Sequence, residues 1–248
     1  MHDRRTVFPY LESYPRDGST LLLDAGDAIR GSNTVFHLHE PILDLMNTVG
    51  YDAQAFGNRE FNYLRSVLGR RFRQVKHPFV CANVVDLRRG TEGMWRPTLV
   101  RSMGGRRIGI IGLTPVQYLD GSPWQWLFGF RFSRPFDFLP DLVRQMRAES
   151  DMVLLLSHSG YKTDCKIAEQ VEGIDLIVGG HSHTLLETPL KVRDTFIVQT
   201  GCYGRFVGKM HFTLDGGFTI KDYALVPMPN AEPMPAGLDP QSAAALAS

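Results

Sequence analysis

Short apolar runs alternate along this chain with longer segments in which apolar residues recur at helical spacing. Leu21–Leu23 and Met152–Leu156 are continuous apolar runs, a pattern typical of strands that are buried on both faces. Glu40–Val49 has apolar residues three and four positions apart and stops at Gly50, which is typical of a helix followed by its C-terminal cap. Strands followed by helices predict an α/β fold around a mostly parallel sheet. The other predicted strands are Ala53–Phe56, Phe79–Ala82, Arg107–Leu113 and Leu176–Val178, and the other predicted helices are Phe61–Val75 and Pro135–Glu149.

The last part of the chain has a different pattern. From Thr195 on, shorter alternating segments are separated by glycine turns such as Asp215-Gly216-Gly217, which favours antiparallel strands. From about Pro227 the composition changes to Pro, Ala and Ser. We therefore predict one domain over residues 1–227 and a tail over residues 228–248.

Polar side chains follow several of the apolar strands directly, at the point where each strand ends. They are Asp27, Asn58, His158, His181 and His183. The carboxyl ends of parallel strands meet at one edge of a sheet, so we expect these side chains to lie close together. Carboxylate, amide and imidazole groups that converge from separate elements are typical ligands of a divalent metal ion. In an extended segment, the His181 and His183 pair could serve two neighbouring ions.

Composition and charge exclude several other classes of protein. Apolar residues make up 43% of the chain and charged residues 21%, an ordinary globular balance. The 27 Lys and Arg against 26 Asp and Glu give a net charge of +1, so no global field attracts a nucleic-acid polymer or an anionic membrane. The three cysteines (Cys81, Cys165, Cys202) form no C-x-x-C pair and are interpreted as buried thiols in a reducing compartment.

The start of the chain carries no secretory signal pattern. Met1–Arg5 is charged and no hydrophobic stretch follows it, and no apolar run approaches the roughly 20 residues that span a bilayer. Read from Met1, the chain is therefore expected to be cytoplasmic and not associated with a membrane.

The ordered set G-D, G-N, S-H and G-H-x-H resembles the calcineurin-like metallophosphoesterases, and in particular the catalytic domain of the 5'-nucleotidase family. The resemblance extends from a first helix at about Arg5–Tyr14 to about Pro227. It implies a four-layer α/β/β/α sandwich with two mixed sheets. The matching stretches are LLLDAGDAIRGS (21–32), GYDAQAFGNREFNY (50–63), LLLSHSG (154–160), DLIVGGHSHT (175–184) and TGCYGRFVGKM (200–210).

The resemblance also implies a role for each polar residue. Asp27 would be the carboxylate shared by two metal ions, and His183 would bind the second ion. The first ion would be completed by Asn58, His158 and His181. A pair of Mn, Fe or Zn ions would then activate a hydroxide that hydrolyses a phosphoester, since mixed nitrogen and oxygen ligands do not select one of these metals.

Two departures from the family pattern concern the metal site and the acid. The family's opening strand ends in D-x-H, and no Asp of this chain is followed two residues later by His. We expect Met1 to lie downstream of that strand, so that the first strand is absent, and the alternative is a degenerate protein that binds one metal. The family motif G-N-H-E is Gly57-Asn58-Arg59-Glu60 here. Arg59 is predicted to contact phosphate, but it cannot donate a proton near neutral pH as histidine can.

A third departure leaves the substrate open. The family's C-terminal domain, which grips the nucleoside base, has no counterpart in these residues, so the substrate remains open among phosphomonoesters, phosphodiesters and nucleotide species. The rival hypothesis is a non-enzymatic protein that holds one metal ion and a phosphate through Arg59. No oligomeric state is predicted.

Four other polar or aromatic features lie outside the proposed metal site. His37 and His39 are interpreted as surface residues, and the alternation of Phe130 and Phe132 as strand core. Trp124 and Trp126, in a predicted loop, are candidates for a substrate rim or a subunit contact, and Asn83 is a weak candidate for a hydrogen bond near the site.

Overall fold

The computed structural model describes residues 4–29, 39–62, 65–91 and 93–229. His37 and residues 230–248 of the predicted tail lie outside them. The helices are α1 Phe8–Ser13, α2 Pro41–Val49, α3 Arg65–Gln74, α4 Pro123–Phe128, α5 Leu139–Glu149 and α6 Tyr161–Gln170, with short 3-10 turns at Arg4–Val7, Arg59–Asn62 and Pro135–Asp137. The strands are β1 Leu23–Asp24, β2 Ala53–Ala55, β3 Phe79–Val80, β4 Val84–Asp86, β5 Trp95–Arg96, β6 Thr98–Met103, β7 Arg106–Leu113, β8 Phe130–Phe132, β9 Met152–Ser157, β10 Leu176–Val178, β11 Leu190–Val192, β12 Thr195–Val198, β13 Phe206–Thr213 and β14 Thr219–Pro227.

The strands form two main sheets. The first sheet has the order β1-β2-β3-β5, and all of its pairs are parallel. The second has the order β11-β12-β10-β9-β7-β6, with parallel pairs in its centre and antiparallel pairs at both edges. A β13–β14 hairpin and a β4–β8 pair complete the strands among the described residues. The expected mixed character therefore holds for the second sheet, whereas the described pairs of the first are parallel throughout.

Three buried clusters lie between four layers. One cluster joins the first sheet to helices α1 to α3, and includes Phe8, Met46 and Phe72. A second lies between the sheets, and a third joins the second sheet to α5 and α6. In β9, Leu154 faces the first sheet and Leu155 faces the helices, which explains why this strand is continuously apolar. These contacts give the helix, sheet, sheet, helix order of an α/β/β/α sandwich, as expected.

Several predicted elements are confirmed, and one differs in burial. The helix that ends before Gly50, and strands β2, β7, β9 and β10, fall within a residue or two of their predicted bounds. Leu21–Leu23 was expected to be a buried strand. Only Leu23–Asp24 is regular strand, and Leu21–Leu23 are half-buried because they border a cavity at the edge of the first sheet.

The predictions for the aromatic stretch and for the segment after Thr195 are confirmed only in part. Phe130 and Phe132 are buried in β8, as predicted. Trp124 and Trp126 lie in helix α4 and not in a loop, because the Ser122 side chain caps this helix by accepting from the Gln125 N–H. Thr195–Val198 pairs antiparallel with β11 but parallel with β10, so the antiparallel prediction holds fully only for the β13–β14 hairpin.

Two further observations concern membrane-spanning helices and the predicted domain boundary. Among the described residues, no helix combines the length and the apolar character needed to cross a membrane. Met228, the first residue of the predicted tail, is buried and donates from its N–H to the Arg205 carbonyl at 2.8 Å. The domain boundary at 227 stays a prediction.

Candidate metal centre

The two sheets bring four of the five predicted polar residues into contact. Asp27 and Asn58 follow strands β1 and β2 of the first sheet, and His158 and His181 follow strands β9 and β10 of the second. The rings of His158 and His181 have centroids 5.2 Å apart. The contacts therefore connect the carboxyl ends of strands from two different sheets, whereas the strand pattern had placed these residues at one edge of a single sheet.

His158 is oriented by the loop after β1. Its Nδ1–H donates to the Ala25 carbonyl at 2.6 Å, which leaves Nε2 as the nitrogen that faces the carboxylate of Asp27. Nε2 is buried, makes no hydrogen bond within the described residues, and lies 3.3 Å from Asp27 Oδ2. A histidine that donates one ring N–H to a backbone carbonyl and turns its other nitrogen toward a carboxylate has the arrangement of a metal ligand.

Asn58 and His181 form the second contact. The Nδ1 atom of His181 lies 3.0 Å from the Asn58 Oδ1 atom, so the imidazole N–H donates to the amide oxygen. The ring of His181 is exposed, whereas that of His158 is almost fully buried. The site thus has a buried side at His158 and an open side at His181.

The segment that carries His181 and His183 is a turn and not the extended strand that was expected. Both residues have left-handed backbone conformations, with φ of 72° and 58°, and Asp27 has φ of 61°. For residues other than glycine this conformation costs on the order of 1–2 kcal/mol and concentrates at functional sites. The ring of His183 packs against Tyr203 at 5.4 Å, and His183 lines the same cavity as Asp27.

Ser182 holds this turn in place, and sequence reasoning missed it. Its hydroxyl accepts from the Tyr161 N–H at 3.0 Å and donates to the Gln199 Oε1 atom at 3.1 Å. The same hydroxyl lies 3.0 Å from that of Thr184. The serine in G-H-S-H was visible in the sequence, but its partners on helix α6 and after strand β12 were not.

Arg59 is directed at the carboxylate of Asp27. Its backbone N–H donates to Asp27 Oδ1 at 2.8 Å, and its Nε lies 3.3 Å from Asp27 Oδ2. The Arg59 guanidinium therefore balances the negative charge of Asp27, as a bound metal ion would. Its predicted phosphate contact stays a prediction.

Glu60, the last residue of the G-N-R-E motif, is buried beneath the site and holds the backbone of Gly57. It is 3% exposed, and its Oε2 accepts from the Gly57 N–H at 2.7 Å. Burial, and then the negative charge of Asp27, raise the pKa of Glu60 to about 8. Glu60 is therefore a protonated support for the Asp27 loop near neutral pH.

The pKa directions agree with a site that concentrates charge around Asp27. Burial alone would raise the pKa of Asp27, but the adjacent His158 imidazole, together with Arg59, lowers it overall. Burial alone would lower the pKa of His158, but Asp27 and the Ala25 carbonyl raise it overall. Burial, and then the charge of His158, lower the pKa of His181. Asp27 is thus held as a carboxylate that attracts cations.

The donor set fits a divalent ion at the buried side of the site. Asp27 Oδ2 and His158 Nε2 face each other across 3.3 Å, and both are lone-pair donors when His158 is neutral. Within the described ranges, the acidic, imidazole and thiol side chains do not converge in groups of three or more that could hold a metal ion. An ion at this place would therefore also need the amide oxygen of Asn58, which here accepts from His181.

Asn83 has a structural role in the contact between the two sheets. It is fully buried, donates from Nδ2 to the Thr114 carbonyl at 2.7 Å, and accepts from the Thr114 N–H at 3.0 Å. These two bonds join the ends of β3 and β7, so its side chain serves the contact between the sheets.

Known proteins resemble the chain in sequence and in structure, although no family model matches it. The 5'-nucleotidase of Mus musculus is 31% identical over 223 residues, which cover 79% of this chain and 38% of the mouse protein. A 5'-nucleotidase precursor from Thermus thermophilus has a TM-score of 0.75 and 28% identity, and covers 99% of this chain and 52% of that chain. A calcineurin-like phosphoesterase from Bacillus subtilis, with a TM-score of 0.66 and 22% identity over 98% of this chain and 88% of that chain, shares the fold. The chain thus spans about two fifths of the length of the curated relatives that it matches.

Proposed function

The domain in this chain belongs to the 5'-nucleotidase family of calcineurin-like phosphoesterases, and from that premise we propose that it hydrolyses a small phosphoester with the help of divalent metal ions. The observation that carries the proposal is the approach of Asp27, Asn58, His158 and His181 from the ends of four strands. The finer proposal is that the substrate is a nucleotide, as the names of the relatives suggest.

Each residue of the site has a proposed role. Asp27, Asn58, His158 and His181 would hold one ion, and His183 would contribute to a second ion shared through Asp27. Bound divalent ions polarise a phosphoryl group and lower the pKa of a coordinated water, and Mn, Fe and Zn all suit mixed nitrogen and oxygen ligands. The Ala25 carbonyl keeps the His158 ring in the orientation and tautomer that a ligand needs.

In this proposal Arg59 binds the phosphate and neutralises its negative charge, and it does not act as a general acid. A cation held by the carboxylate of Asp27 would compete with its ion pair to Arg59, whose guanidinium could then bind two oxygens of a phosphate. A guanidinium stays protonated near neutral pH, so the leaving oxygen must depart without a proton from residue 59.

The substitution Asp27→Asn tests the metal-dependent activity. Asparagine tolerates the left-handed backbone at this position and keeps an acceptor for the Arg59 N–H, so the fold should persist. We expect about a 100-fold loss or more in kcat/KM for p-nitrophenyl phosphate, and weaker Mn²⁺ binding by titration calorimetry. The control is Asp215→Asn, since Asp215 lies in an exposed pair with Arg106. Full activity in Asp27→Asn would refute the proposal.

Arg59→His tests the position of the family acid. A histidine can donate a proton to a poor leaving group, so hydrolysis of an alkyl phosphate should rise relative to hydrolysis of an aryl phosphate, by about 10-fold or more. The measurement is the ratio of kcat values for the two substrates in the Mn²⁺-loaded protein. Equal rates for aryl and alkyl phosphates in the unsubstituted protein would contradict the assignment of Arg59.

A further inference from the structure

Helix α4 contains no buried residue, although its sequence, PWQWLF, is apolar at every position except Gln125. Trp124 is 57% exposed, Trp126 is 79% exposed and Leu127 is 50% exposed. Leu119, in the turn that precedes the helix, is 64% exposed. A helix that is apolar on all sides is normally surrounded by a protein core or by lipid. The fold therefore leaves this helix without the apolar surroundings that its sequence favours.

The exposed apolar surface continues from the helix onto the β4–β8 pair. Strand β8 begins directly after the helix and pairs with β4, which carries the exposed Val85. Leu87, just after β4, is also exposed, and its N–H donates to the carbonyl of Gly129 at the end of the helix. We call this surface the tryptophan face, and it consists of Val85, Leu87, Leu119, Trp124, Trp126 and Leu127.

Arginine side chains lie beside the tryptophan face. Arg131 is the partner of Val85 in the β4–β8 pair, and both residues are exposed. Arg88 donates to the backbone carbonyls of Trp126 and Leu127 at 2.6 and 3.2 Å. Its guanidinium therefore lies against the C-terminal end of the helix, next to the most exposed of the apolar side chains.

The charges around the tryptophan face are mostly positive. Asp86 is held by Arg65 at 2.7 Å, and its side chain is only 6% exposed. In residues 84–91 and 115–134 the exposed charged residues are Arg88, Arg89, Arg131, Arg134 and one acid, Asp120. The net charge of +1 for the whole chain led us to expect no attraction to an anionic membrane. The local distribution of charge on this face supplies such an attraction.

We propose that the tryptophan face docks on the surface of an anionic lipid membrane, with its indole and leucine side chains among the lipid headgroups and its arginines against the lipid phosphates. Tryptophan is enriched where a protein meets the membrane interface, and arginine can bury its stem there while its charge stays in the polar layer. Surfaces that combine Trp and Leu with basic residues bind such interfaces without crossing the bilayer. The inference goes beyond the proposed function, because docking requires no hydrolysis.

The shape and composition of the tryptophan face favour lipid over other anionic partners. Its side chains project from a helix, and none of them lines the cavity beside β1 or the pocket beside Arg16 and Arg101, whereas a bound peptide needs a groove or a strand edge. Valine and leucine side chains offer no flat ring on which a base can stack, which disfavours single-stranded nucleic acid. A symmetric second copy would bring the same arginines opposite each other.

Vesicle binding tests the tryptophan face directly. The probes are vesicles of phosphatidylcholine alone and vesicles that also contain about 30% phosphatidylserine, which carries the negative charge. We expect about 10-fold tighter binding to the phosphatidylserine vesicles in co-sedimentation, and a loss of about 5-fold or more at high salt, because salt screens the arginine charges. Brominated lipid should quench the tryptophan fluorescence of the bound protein, since the indoles lie among the headgroups.

Substitutions on the tryptophan face provide the second arm. The double variant Trp124→Ala with Trp126→Ala should fold, because no residue of α4 is buried, and should bind phosphatidylserine vesicles about 10-fold more weakly or less. Arg131→Gln should weaken this binding by about 5-fold and leave binding to phosphatidylcholine unchanged. The control is Val100→Ala, which removes an exposed apolar side chain from β6 and should change neither. Circular dichroism and thermal unfolding establish that each variant folds.

Four outcomes would overturn the inference. Two of them are the absence of binding to phosphatidylserine vesicles, and equal binding by the unsubstituted protein and the double tryptophan variant. A dimer that forms without lipid and is lost in the double variant would make a second copy the occupant. Tryptophan-dependent binding of a single-stranded oligonucleotide, without vesicle binding, would make nucleic acid the occupant. None of these readouts measures turnover, so failure here is distinguishable from failure of the proposed hydrolysis.

Discussion

The orientation of His158 depends on a glycine that leaves room for one hydrogen bond. A Cβ atom at Gly180 would lie 2.9 Å from both the Ala25 carbonyl oxygen and the Nδ1 atom of His158. These two atoms are the partners of the bond that fixes the imidazole. Gly180 therefore contributes to the site because its missing side chain leaves room for the hydrogen bond between Ala25 and His158.

Gly180→Ala should displace His158 from Asp27. We expect Mn²⁺ affinity to fall by about 10- to 100-fold, the range found when the group that orients a ligand is removed, and stability to fall by about 1–3 kcal/mol from overpacking. The control is Gly18→Ala, because a Cβ atom at Gly18 meets nothing within 4 Å. Unchanged Mn²⁺ affinity in a folded Gly180→Ala protein would contradict this role.

Asp164 is a buried carboxyl group whose ionisation destabilises the folded protein. Its Oδ1 accepts from the Ser157 hydroxyl at 2.6 Å, but burial dominates and raises the pKa of Asp164 to about 7. Between about pH 4 and pH 7 the folded protein therefore holds a proton that the unfolded chain has lost, so stability decreases as pH rises through this window and levels off above it.

Asp164→Asn removes this titration. Between about pH 5 and pH 8, the free energy of unfolding of the unsubstituted protein should fall by about 2–3 kcal/mol relative to the variant, at about 1.4 kcal/mol per pH unit below the raised pKa. Urea unfolding of both proteins at the two pH values provides the measurement. Parallel pH profiles would show that Asp164 does not carry the effect.

At the scale of elements, the two sheets touch through backbone at Ala82 and Gly112. The Ala82 N–H, just after β3, donates to the carbonyl of Gly112 in β7 at 2.8 Å. A Cβ atom at Gly112 would overlap the Val80 carbonyl, whereas one at Gly109, on the other face of β7, would meet side chains of Ser150 and Met146 at 2.6 and 2.8 Å. The sandwich is therefore less able to yield at Gly112 than at Gly109.

The pair Gly112→Ala and Gly109→Ala measures how closely the sheets approach. Gly112→Ala pushes backbone against backbone and should destabilise the protein by about 3 kcal/mol or more, or prevent folding. Gly109→Ala meets side chains that can change rotamer, and should cost about 1–2 kcal/mol. Thermal and urea unfolding give both values, and an equal loss in the two variants would argue against a backbone contact between the sheets.

Continuous apolar strands and their polar ends were the predictable part of this fold. β9 and β10 were recognisable because burial on both faces makes every residue apolar, and Asp27, Asn58, His158 and His181 followed from the ends of such strands. The two-residue strand β5 was missed, because Trp95-Arg96 is neither an apolar run nor long enough to show a period.

The geometry within the site was less predictable than its membership. The left-handed turn at His181 and His183 depends on Ser182 and on its partners Tyr161 and Gln199, which are distant from it in the sequence. A single sequence shows the residue types but not such tertiary hydrogen bonds. The half-burial of Leu21–Leu23 likewise depends on what lies beside β1, and not on the leucines themselves.

At the scale of the whole molecule, the proposed metal ligands connect the two sheets. Asp27 and Asn58 come from the first sheet, and His158 and His181 come from the second. An ion held by all four would bind the folded protein and not the unfolded chain, whose ligands are far apart in the sequence. Metal binding should therefore stabilise the entire fold, and not only the loops that carry the ligands.

Thermal unfolding with and without Mn²⁺ measures this linkage. At a free Mn²⁺ concentration about 100 times the dissociation constant, the fold should gain about 2.7 kcal/mol. For a chain of this size that gain corresponds to an increase in Tm of about 5–10 °C. EDTA should reverse the shift, and Asp27→Asn should reduce it to a small fraction, whereas the exposed Asp215→Asn should retain it in full. An equal shift in Asp27→Asn would place the ion elsewhere in the protein, because a ligand raises Tm only through the residues that bind it in the folded state.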